Sequence, residues 1–188
     1  GNGSRPMVAK GVRVPRSALL GTDGGGLDLA MSSVLPCFLL LNAAAGVGLM
    51  EAVTREAVAH VSRVRLEHLD QSLAQQPLPR AAVARMRVET DRTRALLEAA
   101  LTAVAAGAPE ASLRVLEVKA ATDESAAEVT DLAMKTCGGA AFRKELGIER
   151  RFRDSRAARV MAPTTDTLLD FVGRSLCGLP LVDGAAGA

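Results

Sequence analysis

The sequence predicts an all-α protein built as an up-and-down helical bundle, and three observations carry that expectation. Hydrophobic residues make up 48% of the 188 residues, yet the aromatics are confined to four Phe. Ala, Leu, Val and Arg dominate instead, and Ala, Leu and Arg lose little freedom on entering a helix. Glycine and proline then punctuate the chain at Gly107 and Pro109, at Gly138-Gly139, at Pro163, and at Gly178 and Pro180, where helices stop and start.

Met7 to Pro15 (MVAKGVRVP) alternates Val with small or basic residues and predicts one short strand. A lone strand is not stable, so its partners must lie elsewhere. Ser17 to Gly26 ends in three glycines and predicts a flexible loop. From Leu27 to about Leu69 the pattern is helical, with Pro36 either kinking the helix or marking its first turn. Within it, Ala43-Ala44-Ala45-Gly46-Val47-Gly48 is all small, which predicts close packing against another helix. Pro77 and Pro79 end the next loop.

Arg80 to Ala106 predicts a second helix. Val83, Met86, Thr90, Leu97 and Leu101 approximate its apolar stripe, and Arg85, Arg87, Arg92 and Arg94 fall on wetter faces. Gly107 closes that helix and Pro109 opens the next. A third long helix runs from about Glu110 to Cys137, burying Leu113, Leu116, Ala120, Val129, Leu132 and Ala133. A shorter helix covers Ile148 to about Val160 and breaks at Pro163. Thr164 or Thr165 caps a last helix to about Leu176. The closing VDGAAGA predicts a frayed tail. The expected division is a strand-and-linker unit at 1–26, a bundle at 27–178 and a flexible tail at 179–188.

The net charge is +2, with both signs interleaved. With no basic run and no aromatic platform for stacking bases, nucleic acid is not an expected partner. Cys37, Cys137 and Cys177 are odd in number, far apart and without a CxxC. Neither a disulfide framework nor a zinc site is expected, and a reducing cytoplasm is the expected compartment. His60 and His68 have no acidic or Cys partner at a matching spacing, so no metal site is expected. The longest apolar stretch, Val34 to Met50, is interrupted by Pro36 and Asn42. It is expected to be a buried helix rather than a membrane span. No secretory signal is present, and the opening GNGSRP reads as the middle of a longer protein.

The double glycine Gly138-Gly139 ends the third long helix and reads first as a C-cap, with a ligand-binding use as the alternative. Glycine pairs let backbone N–H groups approach a ligand with no Cβ in the way, and such groups favour anions such as a pyrophosphate. The charge that follows, Glu149 to Asp154, has a structural use: Glu149 and Arg153 are spaced for a pair on one helix face, and Arg153 and Asp154 are placed to tie neighbouring helices.

Gly138-Gly139, Phe142, Glu149, Arg153-Asp154 and Thr164 together resemble the signature near the end of the acyl-CoA dehydrogenase flavoprotein family, with matching intervals. Lys119 sits where that family has a lysine on its third bundle helix. Val12-Arg13-Val14-Pro15 and Leu19-Leu20-Gly21 resemble the segment closing its β domain. The resemblance implies that 27–178 is the C-terminal helical domain, preceded by the strand remnant of a β domain. It implies FAD as cofactor, an acyl-CoA or related small molecule as substrate in fatty acid metabolism, and a homodimer or homotetramer. Gly138 and Gly139 would pass close to the FAD diphosphate of a neighbouring subunit. Lys135 stands where many members have a cofactor-contacting glutamine and would meet phosphate by charge. Thr164 would lie near the flavin, and Asp166 at a common polar contact.

The family's usual catalytic glutamate is absent: its position holds Ala162, which cannot take a proton. The alternative position, on the first long helix, falls on Phe38. The catalytic residue is thus unassigned, and three readings stay open: a dehydrogenase with a relocated base, for which Asp166 and Glu51 are poor candidates; a flavin-dependent monooxygenase of the same superfamily; and a non-catalytic helical oligomerisation module.

Overall fold

The structure, a computed structural model, describes residues 5–181. Met7 to Pro15 runs exposed and without regular structure up to a 3-10 turn at Arg16–Ala18. The strand expected there is not formed. A strand needs a hydrogen-bonded neighbour, and the two-stranded sheet among the described residues lies elsewhere. Of the tail expected at 179–188, residues 182–188 lie outside the described residues.

The first helical segment is continuous but not uniform. A short α1 (Gly26–Leu29) leads through a π-helical turn at Ala30–Val34 into the long α2 (Leu35–Arg63). Pro36 explains the turn. It has no N–H for the carbonyl of Ser32 four residues back, and the ladder widens just ahead of it. The helix stops at Arg63 rather than Leu69. Val64 turns extended, and the chain enters a small hairpin of β1 (Arg65–Leu66) and β2 (Gln71–Ser72), with Arg65 opposite Ser72. Asp70 supplies the left-handed turn residue at φ 50, a conformation Asp tolerates better than most side chains. No glycine was needed, so the break left no mark in the glycine and proline pattern.

Helix α3 (Pro77–Ala106) begins three residues before the expected Arg80, because Pro77 occupies the first turn, where its missing N–H costs nothing. Gly107 ends it at φ 62. Helix α4 (Ala111–Cys137) is the axis of the bundle. Fourteen of its 27 residues are buried, against nine of 29 in α2 and six of 30 in α3. It packs against α2, α3, α5 (Ile148–Val160) and α6 (Thr165–Leu176). Covered over most of its circumference, it carries small residues there, and Glu124, Glu128, Asp131 and Lys135 stand exposed along the face that is left. At Gly46 a Cβ would lie 2.4 Å from Thr122 Cγ2, so the small-residue run does admit a neighbouring helix.

Two apolar clusters form the core. One joins Met50, Val53, Met86, Val118, Val129 and Ile148, and the other joins Leu39, Val115, Leu116 and Leu168. Leu168 is wholly buried and holds α6 to the bundle, a contact worth about 1.5–3 kcal/mol. Leu101, expected in the stripe of α3, is 48% exposed. The buried line runs through Leu97, Ala100 and Ala103, and Leu101 lies about 100° away from Ala100 on a helix.

Gly26–Arg63 is long and apolar enough to cross a membrane by composition, with a mean hydropathy of 1.8 over its most apolar 18-residue window. Only 22% of that window is buried. The buried helix expected here is therefore half right. Leu39, Ala43, Val47 and Met50 pack inward, and Val34 and Leu41 face out. All three cysteines are free: Cys37 and Cys177 are exposed, and Cys137 is buried.

Candidate functional site: grooves at the two ends of α5

Gly138 caps α4. Its N–H donates to Met134 O, and its backbone adopts φ 55, ψ −140, a region in practice reserved for glycine. Gly139 has no positive φ. A Cβ on either glycine would meet nothing within 4 Å, and both are exposed. Conformation therefore demands glycine at 138. At 139 neither conformation nor packing within the chain demands it, and the main chain lies bare.

Two 3-10 turns, Gly138–Phe142 and Lys144–Leu146, connect this bend to α5. Phe142 is 69% exposed. With Lys135, Gly138, Phe152, Arg153 and the carboxylates Asp131 and Glu149, which pair with Arg156 and Arg153, it lines an open groove of about 600 Å³. Lys135, in the last turn of α4, also borders a second groove of about 340 Å³ beside Leu78 and Arg85. It is exposed and forms no ion pair among the described residues. The expected pair of Arg153 and Glu149 forms, at 2.9 Å. Three other arginines of α5 make ion pairs to neighbouring helices. Arg151 reaches Glu56 on α2 at 2.8 Å, and Arg156 and Arg159 reach Asp131 and Glu124 on α4. Burial raises the Glu56 carboxyl above its ordinary pKa, opposed by Arg151, Arg55 and Arg150. Burial also pushes the Cys137 thiol up to about 11, so it is not a nucleophile.

The other predicted residues lie past the far end of α5, whose 13 residues span about 20 Å. Thr164 is the N-cap of α6, its Oγ1 accepting from the Thr167 N–H at 3.3 Å. Asp166 is exposed in the first turn, where a carboxylate suits the helix dipole. The structure thus brings Lys135 and Gly138 into one groove, with Gly139 beside it, and places Thr164 and Asp166 elsewhere. Ala162 is exposed and precedes the cis-linked Pro163. Phe38 packs into the second core cluster, and Glu51 pairs with Arg94 on α3.

The loop carrying Ala162 is held from beneath by Lys119, which is 0% exposed. Its Nζ donates to Asp123 Oδ2 at 2.7 Å and to the carbonyls of Ala158, Met161 and Pro163 at 3.2, 3.4 and 3.1 Å. Asp123 Oδ2 also accepts from Thr165 Oγ1 at 3.1 Å. This clamp was open to sequence reasoning by a signal that spacing alone contains. Lys119 and Asp123 stand four apart on the same stripe as the buried Leu116, Ala120 and Ala127, and charges on an apolar stripe are buried only as a pair.

Fold and site together define a helical bundle domain with an open groove of mixed charge beside the glycine bend. The chain belongs to the acyl-CoA dehydrogenase family: the family model described as "Acyl-CoA dehydrogenase, C-terminal domain" matches residues 24–177. The very long-chain specific acyl-CoA dehydrogenase of Bos taurus mitochondria is 30% identical over 167 residues, covering 89% of this chain and 25% of that protein. The chain therefore spans about a quarter of that relative's length. The structure of butyryl-CoA dehydrogenase from Megasphaera elsdenii superposes with a TM-score of 0.80 at 24% identity, covering 87% of this chain and 42% of that one. A structure of PigA with FAD and proline gives 0.77 at 20%, covering 89% and 43%. At these identities the two structures establish the fold. The family is one of flavoproteins.

Proposed function

We propose that this bundle serves an FAD-dependent oxidoreductase that removes hydrogen from the α and β carbons of an acyl-CoA thioester. Family membership supports this reading, and one observation in the chain itself carries it: Gly139 is a glycine that its own fold does not require, on exposed main chain beside an unpaired lysine. The residues present fit an anionic dinucleotide there. A Cβ at 138 or 139 would project into open space that a ligand's diphosphate would need, and Lys135 would meet phosphate charge.

Bound FAD would supply the redox chemistry, accepting the electrons that leave the substrate. The chain's own part is positional. Gly138 and Gly139 would admit the diphosphate to the main chain, Lys135 would orient it, and Thr164 and Asp166 would stand near the flavin. Some 20 Å of helix separates these two groups. An assembly of two or four copies accommodates that distance if the bend of one copy serves the cofactor of the next. A reducing cytoplasm suits the exposed free thiols of Cys37 and Cys177.

Ala162 favours a second reading. A base must reach the proton it removes, and residue 162 offers none. A flavin-dependent monooxygenase of the same superfamily, or a non-catalytic oligomerisation module, needs no carboxylate there. The test is direct. The full-length protein that carries this domain purifies yellow and loses its flavin absorbance band on acid precipitation. A colourless, folded protein overturns the flavoprotein reading. Anaerobic bleaching by an acyl-CoA thioester then identifies a dehydrogenase, and a flavin left oxidised by every thioester tried identifies the alternatives.

A further inference from the structure

A third cleft, of about 270 Å³, lies between α2, α4 and α5. Its walls are mostly small and apolar, with Ala45, Gly46, Ala126 and Ala158 among them and Met161 also lining it. Gly46 brings α2 close against Thr122, and alanines leave the adjoining space unfilled. Five polar residues, Asn42, Thr122, Asp123, Asp154 and Ser155, interrupt this apolar lining, and Asp123 is the one with an orphaned atom. Asp123 is 1% exposed and lines the cleft. Its Oδ2 is satisfied by Lys119 and Thr165, but its Oδ1 is buried with no hydrogen-bond partner among the described residues. An ionised oxygen held without a donor is costly, and native proteins seldom keep one.

We infer that this cleft binds a small, mostly apolar ligand whose hydroxyl or amide N–H is accepted by Asp123 Oδ1. The donor is neutral because Lys119 already matches the charge of Asp123, and Asp154, the second carboxylate of the lining, has a partner of its own. Met161 belongs both to the cleft and to the loop that carries Ala162. Resting on the function proposed above, the cleft then receives the far end of the substrate. The acyl group it selects ends in a hydroxyl or an amide rather than in plain hydrocarbon. The cleft itself does not depend on that reading.

Butanamide and pentan-2-one share a shape and differ by NH₂ in place of CH₃, so they isolate the donor. Their dissociation constants from the full-length protein are measured by ligand-observed NMR. Butanamide is expected to bind at least about tenfold more tightly, the effect of one hydrogen bond to a charged acceptor. Ala45→Leu fills the cleft from an exposed position on α2 and leaves the Lys119 clamp untouched, so it abolishes binding of butanamide while the protein stays folded. Equal binding of the two probes, no binding of either, or a crystal soaked in butanamide that shows an ordered water only at Oδ1 overturns the proposal. The substrate assignment is tested separately. A colourless protein that still binds butanamide removes the flavin reading and keeps the cleft. A yellow protein bleached equally fast by butyryl-CoA and 4-hydroxybutyryl-CoA removes the substrate class.

Discussion

Replacing Lys119 with Met removes the most deeply buried charge in the bundle and keeps most of its stem. The variant leaves Asp123, 1% exposed, as a carboxylate whose remaining partner is the Thr165 hydroxyl. It also takes the donor from the carbonyls of Ala158, Met161 and Pro163. Breaking a buried pair by removing one partner costs about 3–5 kcal/mol. For a chain of this size each kcal/mol moves Tm by about 2–4 °C, so Tm falls by roughly 6–20 °C. Urea and thermal unfolding measure the loss. Hydrogen exchange at the Leu168 N–H, which bonds Thr164 O at 2.9 Å, shows whether it concentrates where α5 meets α6. The double variant Lys119→Met, Asp123→Leu removes both charges and regains much of the stability, because the cost lies in the orphaned carboxylate rather than in the missing attraction. A single variant within about 1 kcal/mol of the parent, or a double variant as unstable as the sum of the singles, refutes this account of the clamp.

Gly138→Ala forces a side chain into a glycine-only conformation and destabilises by about 1–3 kcal/mol, whereas Gly139→Ala leaves the urea midpoint unchanged or slightly raised. Gly139→Arg lowers the flavin content of the full-length protein while circular dichroism stays constant; equal loss of both shows a packing role instead. Gly46→Ala sets a methyl 2.4 Å from Thr122 Cγ2 and costs about 1–3 kcal/mol by overpacking, and adding Thr122→Ser, which deletes that carbon, restores the midpoint. His60 is 6% exposed, and burial, with Arg63 adding to it, holds its pKa below the ordinary 6.5. The unfolded chain therefore takes up the proton first. Stability is full above about pH 6.5 and falls as pH drops through the folded value, and His60→Gln flattens that part of the profile.

The long helices were legible because glycine and proline mark most of their ends and because α3 buries a regular stripe. What escaped were features that leave no such mark. The hairpin after α2 turns on Asp70, one residue in a left-handed conformation. The strand at Met7 to Pro15 had the right alternation but no partner among the described residues, and alternation does not supply one. In the site, the glycine pair announced itself. The clamp did not, since Lys119 drew notice only by its match to a family lysine. Its pairing with Asp123 needed the question of which face of α4 is dry. Glu124, Glu128, Asp131 and Lys135 mark the wet line of α4, and Lys119 and Asp123 lie off it on the dry side.

The three thiols differ in a way that a spectroscopist can use. With its pKa near 11, Cys137 presents a thiolate in only about one molecule in ten thousand at pH 7, and it is walled in by side chains. Cys37 and Cys177 are open to reagents. A maleimide dye will therefore couple to the outer side of α2 and to the end of α6 without a cysteine-free background. Within this domain the two thiols already form a two-point ruler for whether its last helix stays docked.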